Sequence, residues 1–344
     1  MRLVPGAAIP LAYFSSWIAG AQGGPTNGAQ SVRCVLHCVL HGWTRRTCFG
    51  AVRAESAILE PGLPCPFAMI RYDLHCHSTY SDGLLPPAEV VRLAAAGGVD
   101  VLALTDHDET AGLPEARAAA QDAGIALVNG AELSVTWEGE TIHVVALRID
   151  PSNATLSAGL AQVRSGRDAR ARRIADSLAA AGIPDAFEGA AVYVTSKALI
   201  SRTHFARFLA ETGHARDARD AFKRFLTPGK PGYVAHAWAS LPDALSWIRT
   251  AGGSAVIAHP GRYKITAADM RRLLAEFRDG GGAAIEVLSS SHTPAQNEEF
   301  TTLARVFGLK GSCGSDYHGP GESWMAFGDL PPLPAGTTPV WSDW

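Results

Sequence analysis

The sequence predicts an α/β barrel of seven strands carrying a mainly helical insertion, and three observations lead there. From Met69 onward short β-rich runs alternate with amphipathic Ala- and Leu-rich stretches, the pattern of a parallel α/β fold. Histidines and carboxylates recur where the apolar runs stop, and the C-terminal ends of barrel strands are where such a fold assembles an active site. Residues 151–238 break the rhythm: they hold two helical stretches and a Gly/Pro loop but no clear strand.

The strands are expected at about 70–75, 100–105, 125–132, 141–149, 253–259, 283–288 and 309–315. The first runs into Asp73-Leu74-His75-Cys76-His77, with Asp82 just beyond; the second ends at Thr105-Asp106-His107 and the third at Gly130-Ala131-Glu132. The fourth has no obvious motif but contains His143. The fifth ends at Ala258-His259-Pro260, the sixth is a plain apolar run, and the seventh leads into Ser315-Asp316-Tyr317-His318. Helices are expected at about 87–97, 113–123, 240–251, 267–280 and 295–307, several stopping at glycines such as Gly97, Gly252 and Gly280. The barrel therefore takes 69–150 and 239–344, and the inserted cap 151–238.

A chain of 344 residues has room for a barrel with an insertion. A net charge of -3 and a pI near 6.5 exclude a broadly basic nucleic-acid coat, leaving room for a small anionic substrate. No apolar run is long enough to span a bilayer. Residues 1–68 are compositionally foreign: they hold Cys34, Cys38, Cys48 and Cys65 and lack any sustained period. Arg2, the apolar stretch 7–18 and Ala19-Gly20-Ala21 mimic an export signal, weakened by Pro10, Ser15 and Ser16. Cys34, His37, Cys38 and His41 match no zinc spacing. The expectation is a disordered extension, or a start assigned upstream of Met69. Cys76 and Cys313 make no disulfide framework, which fits a reducing cytoplasm.

His75 and His77 stand two apart, so at a strand end their side chains project to one side and can share an ion. An isolated histidine is more often structural. The case rests on number, since Asp82, His107, Glu132, His143, His259, Asp316 and His318 all fit the same pattern. In the insertion, Arg164, Arg167, Arg170 and Arg173 fall near one helix face. They read either as a solvated basic face or as a phosphate clamp. Lys197, Arg202, His204 and Lys230, clustered with Tyr233, add further cationic groups.

The motifs Asp-Leu-His-Cys-His-Ser-Thr-Tyr-Ser-Asp-Gly from Asp73, Leu-Thr-Asp-His-Asp from Leu104, Gly-Ala-Glu from Gly130, Ala-His-Pro-Gly-Arg-Tyr from Ala258 and Gly-Ser-Asp-Tyr-His-Gly from Gly314 resemble the polymerase and histidinol phosphatase (PHP) family. The resemblance covers 69–330 and implies a distorted (β/α)7 barrel holding two or three divalent ions. By it, His75, His77, Glu132 and Asp316 hold one ion, Asp82, His107 and His318 a second, and Glu132 bridges to a third held by His143 and His259. Asp82 stands where some relatives have histidine. The mixed nitrogen and oxygen donors suit three ions of manganese, with iron or zinc as alternatives. The implied reaction is phosphoester hydrolysis.

Arg167, Arg202, Lys230 and Arg262 are candidate phosphate binders. Asp106 is expected to orient a ligand histidine, with helix capping as its alternative, and His204 is a candidate general acid with a structural role as its alternative. The insertion, with Ser201-Arg202-Thr203-His204 and Gly232-Tyr233-Val234, looks like the branch of nucleotide bisphosphate phosphatases and 5'-to-3' exoribonucleases. The expected substrate is a nucleoside 3',5'-bisphosphate such as pAp, with short RNA as a further candidate; no membrane and no obligate protein partner is expected. The competing readings are a histidinol-phosphate phosphatase and a catalytically inactive PHP module that binds nucleic acid or a partner protein.

Overall fold

A computed structural model describes residues 69–196, 199–323 and 325–344. The readings placed on 1–68 and on Lys197 lie outside the described residues. β1 (Tyr72–Asp73) pairs in parallel with β2 (Val101–Leu104), and β2 with β3 (Ala126–Trp137). The connecting helices α1 (Pro87–Ala96) and α2 (Leu113–Ala123) each carry proline in the first turn, where no backbone N–H partner is lost.

The next strand departs from the expected parallel sheet. β3 does not stop at Glu132 but continues to Trp137, turns at Glu138-Gly139 with φ of 48° and 85°, and returns as β4 (Glu140–Leu147). Two residues with positive φ make a tight hairpin, so β4 is antiparallel to β3. This reversal explains His143. It lies in the first half of β4, opposite Ser134, and the reversed direction carries that half to the rim where the parallel strands end.

The chain then runs through α3 (Ala154–Ala180), α4 (Ala186–Ala191), α5 (Arg202–Glu211) and α6 (Ala218–Ala221), which continues into a π-helical turn at Phe222–Leu226. More helical pieces are present than the two expected. Ile174, Leu178, Phe205, Leu209 and Leu226 form an apolar cluster within this segment, whereas Leu156 and Leu160, at the start of α3, pack with the barrel. A side chain at Gly159 would put its Cβ 2.3 Å from the Trp247 ring, so this helix approaches its neighbour only because the position is glycine.

β5 (Ala239–Ser240), absent from the expected strands, pairs with the far end of β3. After it come α7 (Leu241–Thr250), β6 (Ser254–Ile257), α8 (Ala267–Asp279), β7 (Ala284–Ser289), α9 (Pro294–Phe307) and β8 (Lys310–Gly314). The sheet order is β1-β2-β3-β4-β6-β7-β8. The edges meet where Leu74 N–H donates to the Cys313 carbonyl at 3.0 Å and Cys76 bridges Tyr317. Small or branched residues such as Ala103, Val145, Val256 and Ala284 fill the barrel, and helices cover it with apolar stripes, as Met270, Leu273, Leu274 and Phe277 do on α8. No described helix is long and apolar enough to cross a membrane.

Candidate metal centre

β1 is short, yet the chain stays extended past it because Asp316 N–H donates to the His75 carbonyl at 2.8 Å and His77 N–H to the Tyr317 carbonyl at 2.8 Å. That keeps both imidazoles on one side, with their Nε2 atoms 3.1 Å apart. Gly314 makes the approach possible, since a Cβ there would stand 2.2 Å from His75 Cβ. Each Nε2 also faces Glu132 Oε2 at 3.2 Å, and Asp316 Oδ1 lies 3.5 Å from His75 and 3.2 Å from His77. These four residues form one group of converging donors.

A second group contains His77, Asp82, His107 and His318. Asp82 Oδ1 lies 3.3 Å from His318 Nε2 and 3.7 Å from His107 Nε2. A third contains His107, Glu132 and His143. Glu132 joins the groups with its two oxygens: Oε2 faces His75, His77 and His107, while Oε1 lies 2.9 Å from both His143 Nδ1 and His259 Nε2. All nine residues expected as ligands are therefore brought together.

The donor set fits divalent cations. Asp82 Oδ1, Glu132 Oε2, His107 Nδ1 and His143 Nδ1 are buried with no hydrogen-bond partner, a costly arrangement for protein atoms alone. Burial opposes charge throughout, but the surrounding opposite charges win at several positions. The carboxylates of Asp316 and Glu132, each 3.2 Å from its Nε2, hold His77 at about 10, and the neighbouring histidines keep Glu132 well below the usual carboxylate range. His107 goes the other way, driven down by burial. His259 and Asp316 take φ values of 27° and 52°, the kind of backbone strain that collects at functional sites.

Outside the groups, Asp106 accepts from Ser78 N–H and Oγ at 2.7 Å each and from Ser81 Oγ at 2.6 Å. Ser81 Oγ is 3.3 Å from His77 Nδ1. Asp106 thus connects to His77 through Ser81. Glu286 escaped sequence reading: its Oε1 is 2.7 Å from His75 Nδ1 and its Oε2 accepts from His259 N–H at 2.5 Å. A lone carboxylate inside Ala-Ala-Ile-Glu-Val-Leu was the available signal. Asp73 Oδ1 accepts from Ser315 N–H at 2.9 Å; burial lifts its carboxyl to about 7 against that bond.

A cavity opens over the groups and is lined by Arg167, Arg170, Arg202 and Arg262 together with Trp238 and Phe222. The solvated-face reading of the arginine stripe fails for its middle members, since Arg167 and Arg170 are buried; Arg173 alone of the four is exposed. Arg167 donates through Nε to Asp108 Oδ2 at 2.7 Å and through Nη2 to Ser134 Oγ at 2.7 Å. Arg170 and Arg202 have no carboxylate partner among the described residues; they donate to the Val234 and Leu226 carbonyls. Burial, then repulsion from Arg202 and Arg167, pushes Arg170 down to about 9. Arg262 pairs with Asp316 Oδ2 at 2.5 Å.

Two expectations are corrected. Lys230 is exposed in a turn and does not line the cavity. His204 is wholly buried beneath the helix start: its Nδ1 accepts from Ser201 N–H at 2.9 Å and completes a capping box, and burial pushes its imidazole down to about 3. A neutral, enclosed ring away from the cavity is no general acid.

Residues 73–226 match the PHP domain family. A 3',5'-nucleoside bisphosphate phosphatase of Chromobacterium violaceum is 50% identical over 80% of this chain and 96% of its own length. A 5'-3' exoribonuclease of Haemophilus influenzae is 42% identical over 79% of this chain and 98% of its own. Among solved structures, an amidohydrolase from Chromobacterium violaceum with bound sulfate and no metal superposes with a TM-score of 0.77 at 50% identity, covering 79% of this chain and 94% of that one. A metal-dependent phosphoesterase from Bifidobacterium adolescentis gives 0.68 at 28% identity, covering 78% and 93%.

Proposed function

This chain belongs to the PHP domain family, and from that premise we propose that it is a metal-dependent phosphoesterase releasing the 3'-phosphate of nucleoside 3',5'-bisphosphates such as pAp to leave a nucleoside 5'-monophosphate. Short RNA is a second substrate class, supported by the similarity to a 5'-3' exoribonuclease. The observation that carries the reading is the placement of Arg167, Arg170 and Arg202 around the cavity beside the clustered donors. Two of these cations lack carboxylate partners among the described residues and repel one another, so an anion between them relieves the repulsion. A substrate with phosphates at two positions satisfies both ends of the cavity at once.

On this reading three ions, most consistent with Mn2+ and with Fe2+ or Zn2+ as alternatives, would be held by His75, His77, Glu132 and Asp316, by Asp82, His107 and His318, and by His143 and His259 with Glu132. Bound ions of this kind supply hydroxide near neutral pH and neutralise phosphoryl oxygens. The side chains of the protein orient and hold the substrate. Arg262, at the Asp316 edge, faces the phosphoryl group being released, while Arg167, Arg170 and Arg202 grip the remote phosphate. Asp106 and Glu286 fix the rings of His77 and His75. The free buried cysteines Cys76 and Cys313 support a reducing, cytoplasmic setting.

Phosphate release from pAp, AMP, histidinol phosphate and a short 5'-phosphorylated RNA tests the assignment. The expected result is preference for pAp or the RNA. A tenfold or greater preference for histidinol phosphate would contradict it.

A further inference from the structure

The insertion reaches the candidate metal centre through one carboxylate. Asp82 is 3% exposed, and its two oxygens have different surroundings. Oδ1 has no hydrogen-bond partner and points at His107 and His318. Oδ2 accepts two hydroxyl donors from the first turn of α5: Ser201 Oγ at 3.1 Å and Thr203 Oγ1 at 2.9 Å. Below them, Arg207 Nη2 donates to the Asp82 carbonyl at 2.5 Å and pairs with Glu322 at 2.7 Å. One helix of the insertion therefore fixes both the rotamer and the backbone of Asp82.

We propose that Ser201 and Thr203 are positioning residues for the ion at Asp82, so that loading of this ion and ordering of α5 on the barrel are a single coupled event. The inference rests on reading the His77, Asp82, His107 and His318 group as an ion site. With both hydroxyls on Oδ2, Asp82 presents Oδ1 alone to the ion and loses little side-chain freedom on binding it. Without them the carboxylate is free to rotate, and α5 keeps its Arg207 bond to the Asp82 carbonyl but loses the two to the carboxylate. The coupling is reciprocal: what tightens the ion must tighten the helix. Thr203 is the cleaner probe, because Ser201 also caps α5 by accepting from Thr203 N–H at 3.1 Å.

Mn2+ titration of the metal-stripped protein, followed by calorimetry and by electron paramagnetic resonance of the free ion, reads the effect directly. Thr203→Val, which keeps shape and removes the hydroxyl, is expected to weaken one class of Mn2+ site by about 10- to 100-fold, and Thr203→Ser to restore it. In the unmodified protein, Mn2+ should slow amide hydrogen exchange across Arg202–Glu211; this second measurement stands even if the valine variant folds poorly. Unaltered Mn2+ affinity in Thr203→Val, or exchange in α5 that ignores Mn2+, would overturn the coupling alone. No uptake of Mn2+ by the unmodified protein would overturn the ion-site reading beneath it.

Discussion

At the residue scale, three rings in the centre have an oxygen partner at Nδ1: Glu286 for His75, Ser81 for His77 and the Asp316 carbonyl for His318. Glu286 serves two elements at once, taking the His75 ring on one oxygen and the His259 backbone N–H on the other. Glu286→Gln retains the volume but only one acceptor, so one of these donors is left facing an amide N–H. We expect metal affinity to fall about 10- to 100-fold with the melting temperature of the metal-free protein changed far less, as measured by metal titration and calorimetry. Arg202→Ala should raise KM for a bisphosphate with kcat little altered, as steady-state kinetics would show; unchanged kinetics would place Arg202 outside the substrate site.

His204 gives a pH signature distinct from the ligands. Its folded value of about 3, caused by burial, lies below the unfolded value of 6.5. A depressed value contributes stability that is complete above the unfolded pKa and is lost as pH falls toward the folded one. Between pH 6.5 and 5 the loss is about 2 kcal/mol. His204→Asn keeps an acceptor for Ser201 N–H and removes the titration. Denaturant unfolding of the metal-free proteins at pH 7 and 5 should show a smaller drop for the variant, and equal drops would contradict a neutral buried imidazole.

At the scale of elements, direction and length decide where side chains arrive. The five helices expected around the barrel appear within two residues of their expected ends, since their apolar spacing and stop signals are local. The reversal of β4 was less legible, because a strand written as an apolar run does not state its direction. The signal was Glu138-Gly139, a two-residue link that can only make a hairpin. The insertion was legible as helical, but not in its orientation: three of the four stripe arginines turn inward, as Arg164 too donates to the Asp108 carbonyl at 2.7 Å. The close crossing of α3 and α7 at Gly159 carries its own test. Gly159→Ala forces a methyl group into the Trp247 ring and should destabilise the fold by about 1–3 kcal/mol, checked by denaturant unfolding.

At the scale of the whole molecule, a nearly closed sheet gathers histidines and carboxylates from six separate chain segments onto one rim, and the helical insertion places arginines above them. The ligand candidates were legible because most stand at or just past the end of an apolar run, as His107 and His259 do. Glu286 and Thr203 were not, because their partners lie far away in sequence. Phosphate release from pAp by metal-stripped protein, measured before and after adding Mn2+, tests the central claim most directly. Release should be absent from the stripped protein, restored by Mn2+, and lost in Asp316→Ala under the same conditions; equal release with and without the ion, or none in either case, would contradict it.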